Sequence, residues 1–267
     1  MAFPIEGPVW FVGCGNMGGA ILARWLAAGL DPAQVTVIDP AAPALPGVTV
    51  LAVPPPDGAV PALLLLAVKP QTLDAVAGAI APLLGPETLL VSILAGVEVA
   101  ALRRRFEAPR IVRAMPNTPV AIGRGAVSLY GPELGPELER VAETLMAPLG
   151  LVEWVDESLF DVVTALSGSG PAFLFRFIDA LAAAGADAGL DPDQSARLAL
   201  ATVVGAGLLA EGSGESPHAL AERVASPGGS TRKGLDVLDE PSALRALLRD
   251  TLDAAILRNR ELAEAAR

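Results

Sequence analysis

The chain has 267 residues, 52% hydrophobic and 18% charged, with a formal net charge of −11, one cysteine and one histidine. That length admits one large domain or two smaller ones with ample cores, and the acidic balance excludes a nucleic-acid backbone as partner. A single cysteine and a single histidine allow no intrachain disulfide and no His/Cys metal site. The N-terminus lacks a basic run and carries Glu6, so no secretory signal is expected. The longest apolar patch, Leu198 to Ala210, is bounded by Arg197 and Glu211 and reads as too short to span a bilayer. The expectation is a cytoplasmic protein with no membrane partner.

The first element is an apolar run, Val9 to Val12, that stops at Gly13-Cys14-Gly15-Asn16-Met17-Gly18. A helical pattern follows without a gap and predicts a helix over 16–28. Strand, G-x-G-x-x-G turn and helix together make a pyrophosphate cradle: Gly13 permits the turn, Gly15 admits the phosphates, and Gly18 lets helix and strand pack closely. The free amides and positive dipole end of the helix, at Asn16 and Met17, then face the anion. Cys14 reads as a small residue without a chemical role, since nothing nearby activates a thiolate. A second apolar run, Val35 to Ile38, ends in Asp39, an acid placed to accept hydrogen bonds from ribose hydroxyls. As Asp39-Pro40 it also suits a turn.

Residues 40–60 are rich in Pro and Gly and read as a loop around a short strand at 48–51. Further strands are predicted at 63–68, 88–93, 110–114, 125–130 and 151–155, and helices at 71–83, 97–105 and 135–147. Leu63 to Val68 is apolar without alternation, as in a strand buried on both faces. Alternating strands and helices imply a doubly wound parallel sheet. Beyond about residue 158 strand-like runs vanish. Pro171 after Ser167-Gly168-Ser169-Gly170 marks a helix start, with that helix reaching Ala188. Others follow from Asp191 to about Glu211 and at 217–224, 231–238 and 242–265. The long ones are apolar on most faces and need cover, inside a bundle or against another subunit. The reading is therefore α/β: a Rossmann-type dinucleotide-binding domain over 1–158, followed by an all-helical dimerisation and substrate-binding domain over 159–267.

In such a sheet ligands sit beyond the C-terminal strand ends. Three of those ends are Ala67-Val68-Lys69-Pro70, Ile93-Leu94-Ala95-Gly96 and Met115-Pro116-Asn117-Thr118-Pro119. Lys69 either faces the cofactor or is solvated, and Asn117 is a polar contact near the nicotinamide. A second cluster, Ser226-Pro227-Gly228-Gly229-Ser230-Thr231, leads into a helix. Its backbone amides and hydroxyls make an uncharged pocket suited to a small carboxylate, or an ordinary helix cap. No general acid or base stands in these loops. Reducing a protonated imine needs none, because the substrate already carries the proton. A hydrolase built on His218 has no G-x-S-x-G elbow to use.

These segments, with Ala67-Val68-Lys69-Pro70-Gln71, Arg113-Ala114-Met115-Pro116-Asn117-Thr118-Pro119 and Leu166 to Ala172, resemble the pyrroline-5-carboxylate reductase family in order and over nearly the whole chain. The resemblance implies reduction of 1-pyrroline-5-carboxylate to L-proline by NADPH or NADH, and an interleaved homodimer that further assembles as a decamer of five dimers. It implies that Gly13 to Gly18 hold the pyrophosphate, that Ala67, Val68, Lys69 and Pro70 line the groove, and that Ala95 and Gly96 lie near the nicotinamide. It implies that Ser226 to Thr231 hold the substrate, and it makes Thr231 the candidate catalytic donor. Many relatives carry a hydroxyl or amide where this chain has Asp39, and charge favours NADH here, since a carboxylate repels a 2′-phosphate. Two rivals are weighed. A hydroxyacid dehydrogenase needs a lysine on the helix after Gly170, where Phe173, Leu174, Phe175 and Arg176 stand. A non-catalytic dinucleotide sensor needs no carboxylate loop.

Overall fold

Residues 3–42, 44–55, 60–107 and 110–266 are described in a computed structural model of the chain; Pro43 and residues 56–59 of the Pro/Gly-rich loop lie outside them. Packing divides the chain into two compact units. One runs to Ser169 and takes in the chain again from Ala255, and the other is Gly170–Ala254.

The first unit carries β1 (Val9–Val12), β2 (Val35–Ile38), β3 (Thr49–Leu51), β4 (Leu63–Leu66), β5 (Leu89–Ser92), β6 (Arg110–Pro116), β7 (Gly125–Tyr130) and β8 (Gly150–Trp154). Among the described residues these form one sheet in the order β3-β2-β1-β4-β5-β6-β7-β8. The order reverses direction between β1 and β4, which is the switch point where doubly wound sheets bind ligands. The sheet is not wholly parallel, as the sequence reading expected: β7 runs antiparallel to β6. The physical reason is the link between them, a 3-10 turn at Thr118–Ile122 that is too short for a parallel crossover.

Alternate residues of each central strand enter opposite cores, as a period of two requires. Val9, Phe11, Leu63, Leu65, Leu89 and Val91 pack on one face with α1 (Asn16–Ala27) and α4 (Gly135–Met146). Trp10, Val12, Leu64, Leu66 and Leu90 pack on the other with α2 (Leu73–Ile80) and α3 (Val99–Phe106). The helix predicted at 71–83 is α2 flanked by 3-10 turns at Pro70–Thr72 and Ala81–Leu83. Pro70 and Pro82 lack the amide that a continuous α-helix would use there. Trp25 of α1 is fully buried, meets the edges of Phe3 and Phe11, and donates from Nε1 to the Leu145 carbonyl at 2.7 Å.

The helix expected to begin at Pro171 begins earlier. A 3-10 turn at Glu157–Leu159 leads to α5 (Phe160–Val163) and then to a π-helical turn, Thr164–Gly168, before α6 (Gly170–Asp187). The Ser169 amide reaches back five residues to the Thr164 carbonyl at 2.9 Å. Such bulges recur at functional sites.

In the second unit α6 packs on α7 (Pro192–Ser213), where Gly185 gives room: a Cβ there would lie 2.3 Å from Ser195 Oγ. Then come α8 (Pro217–Val224), α9 (Ser230–Leu238) and the first part of α10 (Leu244–Ala266). None of α6 is buried within the chain, and Phe175 and Leu209 are 64% and 58% exposed. These faces are therefore not covered within the chain. Glu157–Asp187 and Pro192–Ser213 are also long and apolar enough to cross a membrane by length and composition, contrary to the sequence reading. That reading took Arg197 and Glu211 as the ends of an apolar run, whereas a whole span tolerates a few charges.

Replacing Trp25 with Phe should remove the donor to the Leu145 carbonyl and leave a small cavity where the indole was. The expected cost is about 1–3 kcal/mol, read as a lower urea midpoint with an unchanged m-value.

Candidate active site

The glycine turn is shaped by two close approaches. Gly13 has φ +90°, and a Cβ on it would lie 2.6 Å from the Ala67 carbonyl oxygen at the end of β4. A Cβ on Gly18 would lie 2.7 Å from the Gly13 carbonyl oxygen and 3.2 Å from Ala67 Cβ. Both glycines are thus required by the fold. Gly15 differs: a Cβ there would meet nothing within 4 Å. Its open face lies at the head of α1, where Asn16 and Met17 are in the first turn and Gly15 offers no side-chain cap. Uncapped amides beside an empty Cβ position fit a pyrophosphate.

From this cradle a groove of about 530 Å³ runs past Asp39 to Val53 and Pro54, with Val76 and Ala79 of α2 opposite. Its apolar walls suit a flat aromatic base. Ala67, Val68 and Lys69 line it too, and Lys69 is exposed. Pro70, Ala95 and Gly96 line a second cavity of about 510 Å³ along the same strand-end edge, with Leu262 of α10. Val53, Pro54, Val76 and Leu262 were not singled out in the sequence; they are apolar residues at no fixed offset from the glycine motif.

The Asp39 carboxylate already accepts two backbone hydrogen bonds, from Cys14 N at 2.7 Å and Ala41 N at 2.8 Å. It ties the end of β2 to the glycine turn. Burial first, and then the Asp39 charge, push the Cys14 thiol up from its ordinary value, so the thiol stays protonated at neutral pH.

Asn117 lies outside both cavities. Its Oδ1 accepts from Ala126 N at 2.9 Å and its Nδ2 donates to the Ser167 carbonyl at 3.0 Å. Both ends of the amide thus bind backbone, joining the start of β7 to the π-helical turn.

In the second unit, Ser226 to Thr231 form a tight turn into α9. Gly229 N donates to the Ser226 carbonyl at 2.9 Å, and Gly228 has φ +73°. The first backward helical bond from the loop runs from Lys233 N to the Gly229 carbonyl. Helix geometry therefore offers no carbonyl to the amides of Ser230, Thr231 and Arg232. Arg232, next to Thr231, is bound internally: it meets Glu222 Oε1 at 2.8 Å, Asp236 Oδ1 at 3.0 Å and Asp239 Oδ2 at 3.0 Å. Its hydrogen bond to Glu222 is the leading cause that holds its pKa above the ordinary value. The loop thus presents backbone dipoles and the Ser226, Ser230 and Thr231 hydroxyls.

A family model described as pyrroline-5-carboxylate reductase dimerisation matches residues 157–262. Another, described as NADP oxidoreductase coenzyme F420-dependent, matches residues 8–96. A pyrroline-5-carboxylate reductase from Pseudomonas aeruginosa is 37% identical over 95% of this chain and 96% of its own. A solved pyrroline-5-carboxylate reductase from Coxiella burnetii superposes with a TM-score of 0.87 at 32% identity, covering 97% of this chain and 99% of that one. The Plasmodium falciparum pyrroline carboxylate reductase solved with NADP bound gives a TM-score of 0.84 at 25% identity, covering 97% and 98%.

The two turn glycines should respond differently to alanine. Gly13→Ala forces a side chain into the left-handed region and against a carbonyl, so it should lower the denaturation midpoint by the equivalent of about 1–3 kcal/mol. Gly15→Ala should leave that midpoint unchanged and weaken NAD(P)H binding about tenfold, the equivalent of 1.4 kcal/mol, as read by fluorescence titration.

Proposed function

The chain belongs to the pyrroline-5-carboxylate reductase family, and from that premise we propose which of its residues carry the reaction. The reaction is the NAD(P)H-dependent reduction of 1-pyrroline-5-carboxylate to L-proline, the last step of proline biosynthesis. The observation that carries the assignment is the uncapped head of α1 beside Gly15, at the switch point of the sheet.

In this proposal Gly13 to Gly18 hold the pyrophosphate through backbone amides, and Asp39 takes the ribose hydroxyls. Ala67 to Pro70 line the groove, and Ala95 with Gly96 backs the nicotinamide. When bound, the cofactor supplies a hydride. The loop Ser226 to Thr231 holds the substrate carboxylate by amides and hydroxyls, aligning the imine carbon to receive that hydride. The ring nitrogen keeps its proton and becomes the amine of proline, so the chain needs no strong base. The Thr231 hydroxyl donates a hydrogen bond to the lone pair that forms on that nitrogen as the hydride adds. Asn117 acts by holding the π-helical turn in place.

The chain is a homo-oligomer acting on a small molecule. We assign dinucleotide binding to 1–158 and dimerisation with substrate binding to 159–267, which the match over 157–262 supports. The finer assembly proposed is an interleaved dimer, five of which make a decamer, with each loop serving a partner's cofactor. The apolar faces of α6 and α7 go to that assembly and not to a lipid bilayer. A net charge of −11 argues against nucleic acid, and the enzyme is assigned to the cytoplasm.

The reading is tested by oxidation of NADH and NADPH with 1-pyrroline-5-carboxylate in parallel. Turnover with neither, despite cofactor binding, would sink it. With Asp39 facing the ribose, kcat/KM should favour NADH. Asp39→Asn keeps an acceptor for Cys14 N but loses the charge, so it should move the NADH/NADPH ratio toward NADPH by about tenfold or more, since like-charge contact costs several kcal/mol.

Thr231→Val should lower kcat about a hundredfold with little change in KM for the cofactor, and Thr231→Ser should restore most of it. Near-normal turnover in Thr231→Val excludes the donor role.

A further inference from the structure

The loop assigned to the nicotinamide is short and has little structure of its own. It runs from the end of β5 through Ala95 and Gly96 to the start of α3 at Val99. Gly96 has φ +74°, and a Cβ on it would lie 3.3 Å from both the backbone N and Cα of Ala263 near the end of α10. One side of the loop is therefore pressed against the last helix. Asn259, one turn earlier, is itself anchored, donating to the Asp161 carbonyl at 3.1 Å.

The other side is fixed by residues remote in sequence. Glu98 occupies the N-cap position of α3 but makes no side-chain capping bond. The cap comes from Glu157, 58 residues along the chain, whose Oε1 accepts from Val99 N at 2.8 Å. The same oxygen accepts from Arg113 Nη1 at 3.2 Å. Arg113 rises from β6 with its side chain only 4% exposed, and its guanidinium lies 4.2 Å from the centroid of the Phe160 ring. Burial draws its pKa down from the ordinary value, and the Glu157 charge opposes that pull. A buried, flat guanidinium clamped against a ring leaves its acceptor little freedom. The surroundings are mixed in charge, with Glu98, Asp161, Arg260 and Glu264 bordering the same cavity. That mixture selects neither an anion nor a cation as ligand. The arrangement fits a brace better than a binding site.

We propose that Glu157, oriented by Arg113, is a positioning residue that sets the Ala95–Gly96 loop and thereby the alignment of the nicotinamide for hydride transfer. This rests on the assignment of that loop to the nicotinamide. The affinity-bearing contacts lie elsewhere, at the glycine turn and the Asp39 groove. Loosening the brace should therefore misalign the ring without releasing the cofactor.

The test uses the full-length enzyme and NAD(P)H deuterated at the transferred position. Glu157→Ala should lower kcat by about ten- to a hundredfold, because small misplacements of reacting groups are costly. KM for NAD(P)H should change little, and the primary isotope effect on kcat should rise. Glu157→Gln keeps an oxygen for Val99 N and should retain most of kcat. Because Glu157→Ala leaves a buried charge unpaired and so destabilises the fold, Arg113→Met/Glu157→Ala is made in parallel. It removes both charges but not the loss of the cap, and its kcat should stay low. A normal kcat and isotope effect in the folded double variant overturns the proposal, as does a rise in cofactor KM that accounts for the whole loss. Ala95→Leu separates this outcome from failure of the loop assignment. If Ala95→Leu is damaging while the Glu157 variants are silent, only the brace is wrong. If both are silent, the loop does not face the nicotinamide.

Discussion

The approach of Gly13 to the carbonyl of Ala67 is the contact on which the rest of the structure depends. At that point the chain leaves β1, turns and starts α1 within van der Waals distance of the end of β4. A side chain on either Gly13 or Gly18 would push the helix off the sheet. With the helix seated, its uncapped head lies at the place where the strand order reverses. Both strand-end cavities then open along one edge. The cofactor site is a consequence of this packing, and Gly15 is the one residue of the three whose smallness the packing does not require.

A chain of net charge −11 is required to bind an anionic cofactor and an anionic substrate. Two arginines near the proposed sites are already engaged. Arg232 beside the substrate loop is bound by three carboxylates, and Arg113 near the nicotinamide loop by Glu157. As proposed, recognition falls to the helix heads at Gly15 and at Ser230, with Lys69 as the exposed cation of the groove. Amide dipoles at a helix start are fixed by the fold and carry no net charge to desolvate, and near an anion each site is worth up to about 2 kcal/mol when partly buried. They hold a carboxylate without the tight grip that a paired guanidinium would exert on a product that must leave.

Much of this could be read from the sequence because it is local. The glycine turn, the strand expected at 63–68, which ends at Leu66, and the helix at Pro217–Val224 are set by neighbouring residues. What could not be read depends on distant partners. The direction of β7 follows from a turn that folds as 3-10 rather than as a crossover. The π-helical turn hides in a run of small residues that also suits a helix start. The amide of Asn117 is engaged by Ala126 and by Ser167, 50 residues away. Arg113 gave a faint signal, a charge inside an otherwise apolar strand, but nothing in the sequence named its acceptor.

The helical unit poses the remaining physical question, which concerns cover. Leu198, Leu200, Val204, Leu208 and Leu209 on α7 are each at least half exposed, and α6 adds Leu174, Phe175 and Phe177. Burying one such side chain fully is worth about 1.5–3 kcal/mol, so the exposed set represents a large unmet driving force for association. The loop proposed to carry polar chemistry in this unit, Ser226 to Thr231, sits between α8 and α9, which the Arg232–Glu222 pair links. Pairs of that kind contribute little by themselves. If Ser226 to Thr231 hold the substrate as proposed, the apolar faces of α6 and α7 and the substrate loop belong to the same unit, so cover of those faces bears on both assembly and turnover.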